Sequence, residues 1–129
     1  MAVKTINISC SNSAVGNALE DVGNPIDTKC RGGEMIFQVR NNDNSIALAD
    51  FSVMVKANAD ADWVNLVTGA AWGTIAGALK HKAVDIHTLA ADSSAVVVVD
   101  ASLAYQVKFQ AKAASGSISV DIIGTCSYN

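Results

Sequence analysis

The chain has 129 residues, a net charge of −3 at neutral pH and charged side chains at only 16% of positions. A chain of this length forms one domain with its own core, so residues 1–129 are expected to be a single domain. The nine Lys and Arg residues are scattered, which argues against nucleic acid as a partner because phosphate binding needs clustered cations. Such a weakly charged surface is compatible with a protein that is covered by neighbouring copies.

The N-terminal quarter predicts one strand and a long connection. Val3–Ser9 is rich in β-branched residues and forms the first predicted strand. No secretory signal pattern precedes it, so synthesis in the cytoplasm is expected. Ser, Asn, Gly and the single Pro then punctuate residues 11–31, which predicts an irregular connection held to the core by Leu19, Val22 and Ile26.

Alternating apolar residues and Asn/Asp-rich turns predict a series of short strands in the middle of the chain. In chain order these are Glu34–Arg40, Ile46–Ala57, Trp63–Val67 and Ile86–Leu89. The continuous apolar run Ala95–Val99 predicts a strand covered on both faces, because such a run at an exposed edge would invite aggregation.

The C-terminal segment predicts a hairpin from Tyr105 to Gly124. A two-residue turn at Ser115–Gly116 places apolar residues opposite one another on one side and polar residues on the other. The predicted facing pairs are Ala113 with Ile118, Ala111 with Val120, and Phe109 with Ile122. Eight or nine strands without an amphipathic helix predict an all-β fold: a single antiparallel β-sandwich, of which the jelly roll is one form.

The sequence predicts no catalytic, cofactor-binding or metal-binding residues. It contains no Gly-x-Ser-x-Gly, no His-Glu-x-x-His and no phosphate-binding glycine loop. Turn propensity explains Asp43 and Asp60 without calcium. The three cysteines lack metal-ligand spacing, and a bond between Cys10 and Cys126 stays open. A non-enzymatic protein without cofactors is therefore expected.

The glycine-rich segment around Trp72 is predicted to be an apolar surface loop that contacts a neighbouring subunit. Gly69, Gly73 and Gly77 are spaced as in packed membrane helices, but the uncharged stretch is too short and polar to span a bilayer, so no membrane contact is expected. Sugar stacking on Trp63 or Trp72 remains an alternative.

Protein contacts are expected in two places, the N-terminal connection and the Trp72 loop. The candidate contact residues are Ser13, Val15, Leu19, Val22, Pro25, Trp72, Ile75 and Leu79.

Strand and turn segments rich in Ala, Ser and Val run through about residues 50–123: Phe51–Lys56, Trp63, Thr88–Asp100, Tyr105–Phe109 and Ser115–Val120. Together they resemble small virion structural proteins of tailed bacteriophages, notably head decoration or cement proteins. The resemblance implies a protein on the capsid surface that binds the major capsid protein, self-associates as a dimer or trimer, and stabilises the shell. Truncation of the first thirty residues is then expected to abolish particle binding and leave a folded sandwich.

Two alternatives remain from the sequence. One is a carbohydrate-binding or receptor-binding β-sandwich of a tail fibre. The other is a structural subunit of the tail or baseplate, which the sequence does not distinguish from a capsid role.

Overall fold

The computed structural model describes residues 4–28, 32–65, 89–100 and 104–128. Within these ranges the secondary structure is all β, and no helix is long and apolar enough to cross a membrane. The strands are β1 (Lys4–Gly16), β2 (Glu20–Asp27), β3 (Gly32–Asn41), β4 (Leu48–Lys56), β5 (Val64–Asn65), β6 (Ser93–Asp100), β7 (Gln106–Ala113) and β8 (Ser117–Tyr128).

The strands form two antiparallel sheets of four strands each. We call them the β8 sheet, with strand order β1-β8-β3-β6, and the β7 sheet, with strand order β2-β7-β4-β5. The pairs β1 with β8, β2 with β7, β3 with β6 and β4 with β5 make one long folded ribbon. Winding this ribbon brings β3 beside β8 and β4 beside β7, which is the jelly-roll arrangement. The predicted β-sandwich is confirmed, and its form is the jelly roll.

Three phenylalanines from both sheets form the centre of the core. Phe37 of β3 lies with its ring centroid 4.9 Å from that of Phe109 in β7, and Phe51 of β4 lies 6.0 Å from Phe109. The contact of Phe37 with Phe109 joins the two sheets across the sandwich, whereas Phe51 and Phe109 stack within the β7 sheet. The other large side chains that are fully buried are Val15, Val22, Met35, Val39, Leu48, Val53, Val97 and Ile122.

The predicted C-terminal hairpin is wrong in its strand partners. β7 pairs with β2 and β4, whereas β8 pairs with β1 and β3 in the other sheet. The chain crosses between the sheets after Ala113, where Gly116 takes φ +58°. The inward residues of both strands are buried as predicted, but they face each other across the core. Alternation specifies which face is buried and does not distinguish a neighbour in the same sheet from a strand opposite.

The predicted irregular connection over residues 11–31 is also wrong. β1 continues to Gly16, residues 17–19 form a turn, and β2 follows from Glu20 to Asp27. Val22 and Ile26 of this segment are core residues, as predicted, whereas Leu19 is 46% exposed in the turn. Residues 29–31 lie outside the described ranges.

Bulges explain why turn-forming residues occur inside these two strands. The pairing register shifts between Cys10 and Ser13 in β1 and between Val22 and Ile26 in β2. Gly23 has φ +70° within the second bulge. A bulge absorbs residues that a regular ladder would reject, so the Ser, Asn and Gly residues that suggest a connection belong to bulged strands.

The apolar run in β6 is covered on one face only within the described part of the chain. Val97 points inward and has no exposed surface, whereas Val96 points outward and is 47% exposed. Within the described residues the predicted cover over Val96 is not supplied by this chain itself. β6 lies at the edge of the β8 sheet, where it pairs with β3.

Two further segments were predicted as strands. Within the described residues, Val64 and Asn65 of the predicted strand Trp63–Val67 form β5, and Leu89 of the predicted strand Ile86–Leu89 makes an isolated antiparallel bridge with Leu48. Residues 66–88, including Trp72, lie outside the described ranges.

Cys10 and Cys126 lie on the neighbouring strands β1 and β8, as the sequence suggested. The register places Cys10 opposite Ile122 and Cys126 opposite Ile6, so the two thiols are not facing residues. Both cysteines are free.

Candidate contact surfaces

The outer face of the β7 sheet is polar and includes an ion pair between Lys108 and Asp21. Lys108 Nζ lies 3.1 Å from Asp21 Oδ1, and Gln110 Nε2 donates a hydrogen bond of 2.9 Å to the same oxygen. The hydrogen bond from Gln110, assisted by Lys108, lowers the pKa of the Asp21 carboxyl below its ordinary value. Since Asp21 is exposed, this network contributes little to stability, and it leaves the face hydrophilic.

Trp63 lies at the same face, with two lysines over its ring. The ammonium groups of Lys108 and Lys56 lie 4.6 Å and 5.5 Å from the ring centroid. Both distances are within the range of cation–π attraction, so these contacts hold the indole against the sheet. The indole of Trp63 is therefore held at the rim of the β7 sheet by the two ammonium groups.

The outer face of the β8 sheet carries three large, half-exposed apolar side chains among polar ones such as Gln38 and Thr125. Ile36, Val96 and Ile123, on three neighbouring strands, are 49%, 47% and 51% exposed. The register places Gln38 of β3 between Val96 and Ile123, and places Ile36 beside Thr125 of β8. We call Ile36, Val96 and Ile123 the apolar face. Large apolar side chains gathered on one sheet are typical of a surface that binds another protein.

Polar groups border the apolar face at one end. The Arg40 guanidinium pairs with the Asp92 carboxylate through Nη2 and donates a 3.2 Å hydrogen bond from Nη1 to Ser94 Oγ. Asp121, opposite Arg40 in the register, accepts a 2.7 Å hydrogen bond from the backbone N–H of Asn12. Apolar side chains bordered by polar groups are common in protein interfaces.

The sequence contains an indication of this face that strand-by-strand alternation does not reveal. In β3 and β8 the outward Ile36 and Ile123 each adjoin inward apolar residues, so the apolar run is continuous where strict alternation would place a polar residue. The apolar run Ala95–Val99 in β6 is the third continuous apolar run of this kind. Only the sheet order shows that all three lie on adjacent strands, because β3, β6 and β8 are far apart in sequence.

A cleft of about 530 Å³ lies between the edge strands β1 and β2. Its walls carry small polar side chains such as Ser11 and Asn24, and its floor includes Phe109. Cys10 also lines it, but burial raises the pKa of this thiol, which disfavours the reactive thiolate. The cleft thus contains a serine-rich wall over an apolar floor, without an arrangement of nucleophile and base among its lining residues.

The structure separates the predicted contact residues into three groups. Val15 and Val22 are 0% and 2% exposed, which corrects their prediction as contact residues because a buried side chain has no surface to offer. Ser13 and Pro25 line the cleft, and Leu19 lies in the exposed turn between β1 and β2. Trp72, Ile75 and Leu79 lie outside the described residues.

Asp43 serves the turn between β3 and β4. Its Oδ2 accepts hydrogen bonds from the backbone N–H groups of Ile46, at 2.6 Å, and Ser45, at 2.9 Å. These two bonds, that of Ile46 foremost, lower the pKa of the Asp43 carboxyl. The oxygen that calcium would need is thus used to hold the turn.

No protein-family model matches the sequence, and no curated protein is significantly similar to it. Solved structures are similar in fold. The SPBc2 prophage-derived protein YomS superposes with a TM-score of 0.56 at 9% identity, over 97% of this chain and 96% of that one.

A chain in the structure of the Gx strain of infectious bursal disease virus superposes with a TM-score of 0.55 at 10% identity. The match covers 98% of this chain and 32% of that one, so this protein spans about a third of the viral chain. At such low identity the likeness shows a shared β-sandwich fold.

Proposed function

We propose that this protein is a non-enzymatic structural subunit of a bacteriophage virion, and in finer terms a decoration or cement protein on the capsid surface. The apolar face of the β8 sheet is the observation that carries the proposal. Both fold neighbours come from a prophage or a virus, which supports a viral structural role. The partner is the major capsid protein, and the product of binding is a reinforced shell.

The contrast between the two outer faces supports binding by one side of the sandwich. The β7 sheet presents paired charges, as in Lys108 with Asp21, whereas the β8 sheet presents half-exposed Ile36 and Ile123. Burial of such side chains against a shell stabilises the contact by about 25 cal/mol per Å² of apolar area. One such contact is modest, but many copies on one particle act together.

The test is a binding assay with particles that lack the protein. Ile36→Lys should weaken binding of the purified protein to these particles by about tenfold or more, because a lysine ammonium at the centre of a desolvated patch is costly. Binding is measured by co-sedimentation at several protein concentrations.

Val64→Lys is the matched control, since Val64 is an exposed β-strand valine of the other sheet, at 55% exposure. It should bind as the unchanged protein does, and circular dichroism should show that both variants stay folded. Equal loss of binding in both variants, or full binding by Ile36→Lys, would contradict the proposal.

The same face would suit a tail or baseplate subunit. Mass spectrometry of separated heads and tails from purified virions distinguishes the two locations. Recovery of the protein in tails alone would replace the capsid assignment with the tail assignment.

A further inference from the structure

Within the described ranges the sandwich has four edge strands, and two of them, β1 and β2, carry features that prevent pairing with another strand. β1 and β2 are interrupted by bulges, between Cys10 and Ser13 and between Val22 and Ile26. Pro25 adds a residue without an N–H group to the second bulge. Bulges and proline are among the means by which proteins block edge-to-edge association.

β6 lacks every one of these features. Its eight residues pair with β3 in an unbroken register from Asp100 opposite Glu34 to Ser93 opposite Asn41. It contains no Pro, Gly or Lys, and its centre is Ala95–Val99. Within the described ranges, β3 is the strand that pairs with β6, so its other backbone edge is unpaired there.

We propose that β6 pairs with β6 of a second copy of this chain, antiparallel, about a two-fold axis at Val97. The two β8 sheets then join into one continuous eight-stranded sheet. In this register Val97 faces Val97 of the partner subunit, Val96 faces Val98 of the partner subunit, and Ser94 faces Asp100 of the partner subunit. A strand of this kind supplies main-chain hydrogen bonds for affinity and side-chain pairs for specificity.

A second copy fits this edge because β6 is apolar on both faces. Val97 points inward and Val96 outward. A strand that pairs with β6 must therefore have apolar residues on both faces at the corresponding positions along its length. β6 itself meets this requirement, and β-branched pairs across strands are stabilising. The two-fold axis at Val97 also keeps the two Asp100 residues apart, because each faces a serine.

The proposed pair is seven residues long, from Ser94 to Asp100, or about 23 Å. Its area falls at the small end of protein interfaces, so a weak, concentration-dependent dimer is expected. Formation of the dimer also brings the apolar faces of two copies into one plane. The inference deepens the proposed function because it names the strand through which two copies of the subunit bind each other. Its test uses the free protein without capsid particles.

The test is sedimentation equilibrium of the purified chain from micromolar to millimolar concentration. The unchanged protein should shift from monomer to dimer, and Val96→Lys should weaken dimerisation by about tenfold or more because an edge lysine opposes strand pairing. Ile36→Lys is the control: Ile36 has nearly the same exposure, 49% against 47%, but lies on an inner strand. It should still dimerise while losing particle binding.

Cross-linking tests the register. With Cys10, Cys30 and Cys126 replaced by alanine, an oxidised mixture of the V96C and V98C variants should give a covalent dimer, and neither variant alone should. A covalent dimer from V96C alone would overturn the axis at Val97.

Other outcomes overturn the pairing itself. Dimerisation lost in Ile36→Lys but kept in Val96→Lys would show that copies associate through the apolar face instead. A monomer at all concentrations with β6 amides protected from hydrogen exchange would show that the chain covers its own edge. A monomer with unprotected amides would show that the edge has no occupant.

Discussion

At the scale of single residues, Gly124 is a position where the fold does not tolerate a side chain. It lies in β8 directly opposite Phe37 of β3, at an inward position between Ile122 and Cys126. A Cβ atom built there would lie 2.0 Å from the carbonyl oxygen of Ile36 and 2.5 Å from the Cα of Phe37. Both are backbone atoms of a central strand, so neither can rotate away. The absence of a side chain at Gly124 lets β3 and β8 approach each other at this point.

We therefore expect Gly124→Ala to lower the free energy of unfolding by about 3 kcal/mol, at the upper end of overpacking effects. Urea unfolding followed by tryptophan fluorescence or circular dichroism measures the change. Gly16→Ala is the control, because a Cβ at Gly16 would lie 3.5 Å from Glu20 Oε2, an ordinary contact with a flexible side chain. Equal stability of the two variants would contradict the close approach of β3 to β8.

At the scale of elements, the bulges of β1 and β2 meet across the cleft. Gly23 has φ +70°, and a Cβ there would lie 2.3 Å from the Sγ of Cys10. The two edge strands belong to different sheets, so this contact links the sheets at their open side. The two bulges are therefore coupled, because the backbone of β2 at Gly23 packs against the thiol of Cys10 in β1.

Gly23→Ala should cost about 1–2 kcal/mol of unfolding free energy from the left-handed backbone alone, and more from the contact with Cys10. Cys10→Ala should relieve the second part, so the double variant should be more stable than the sum of the single effects predicts. A double-mutant cycle by chemical denaturation measures this coupling. Strict additivity would mean that the thiol rotates away and the backbone strain is the whole cost.

At the scale of the whole molecule, β1 and β2 are integral to the sandwich rather than an appended arm. β1 pairs along β8 from Lys4 to Gly16, and β2 pairs along β7. Together they bury Ile8, Val15, Val22 and Ile26 in the core. The expectation that the first thirty residues can be removed from a folded sandwich does not fit this arrangement.

Deletion of residues 1–31 should therefore unfold the protein. Four buried side chains are lost, each worth about 1.5–3 kcal/mol when buried, which approaches the whole stability of about 5–15 kcal/mol of an ordinary domain. Circular dichroism and limited proteolysis measure the result, and deletion of residues 1–3, which precede β1, is the control. A cooperative unfolding transition in the truncated chain would show that a six-stranded sandwich is stable by itself.

The sequence by itself determined the β class and most inward-facing residues. Local alternation decides which side of a strand is buried, so Phe109, Ala111, Val120 and Ile122 were identified as inward. It also predicted the Asn/Asp-rich turn that Asp43 holds. All of these depend on interactions between near neighbours in the chain.

Only the tertiary structure decided which strands pair and which outward residues form a surface. β7 and β8 are adjacent in sequence yet lie in opposite sheets, and β1 pairs with β8 from the other end of the chain. Strand pairing in a jelly roll depends on long-range packing, because one alternating pattern fits several partners equally well. For the same reason Ile36, Val96 and Ile123 became one apolar face only when the sheet order placed β3, β6 and β8 side by side.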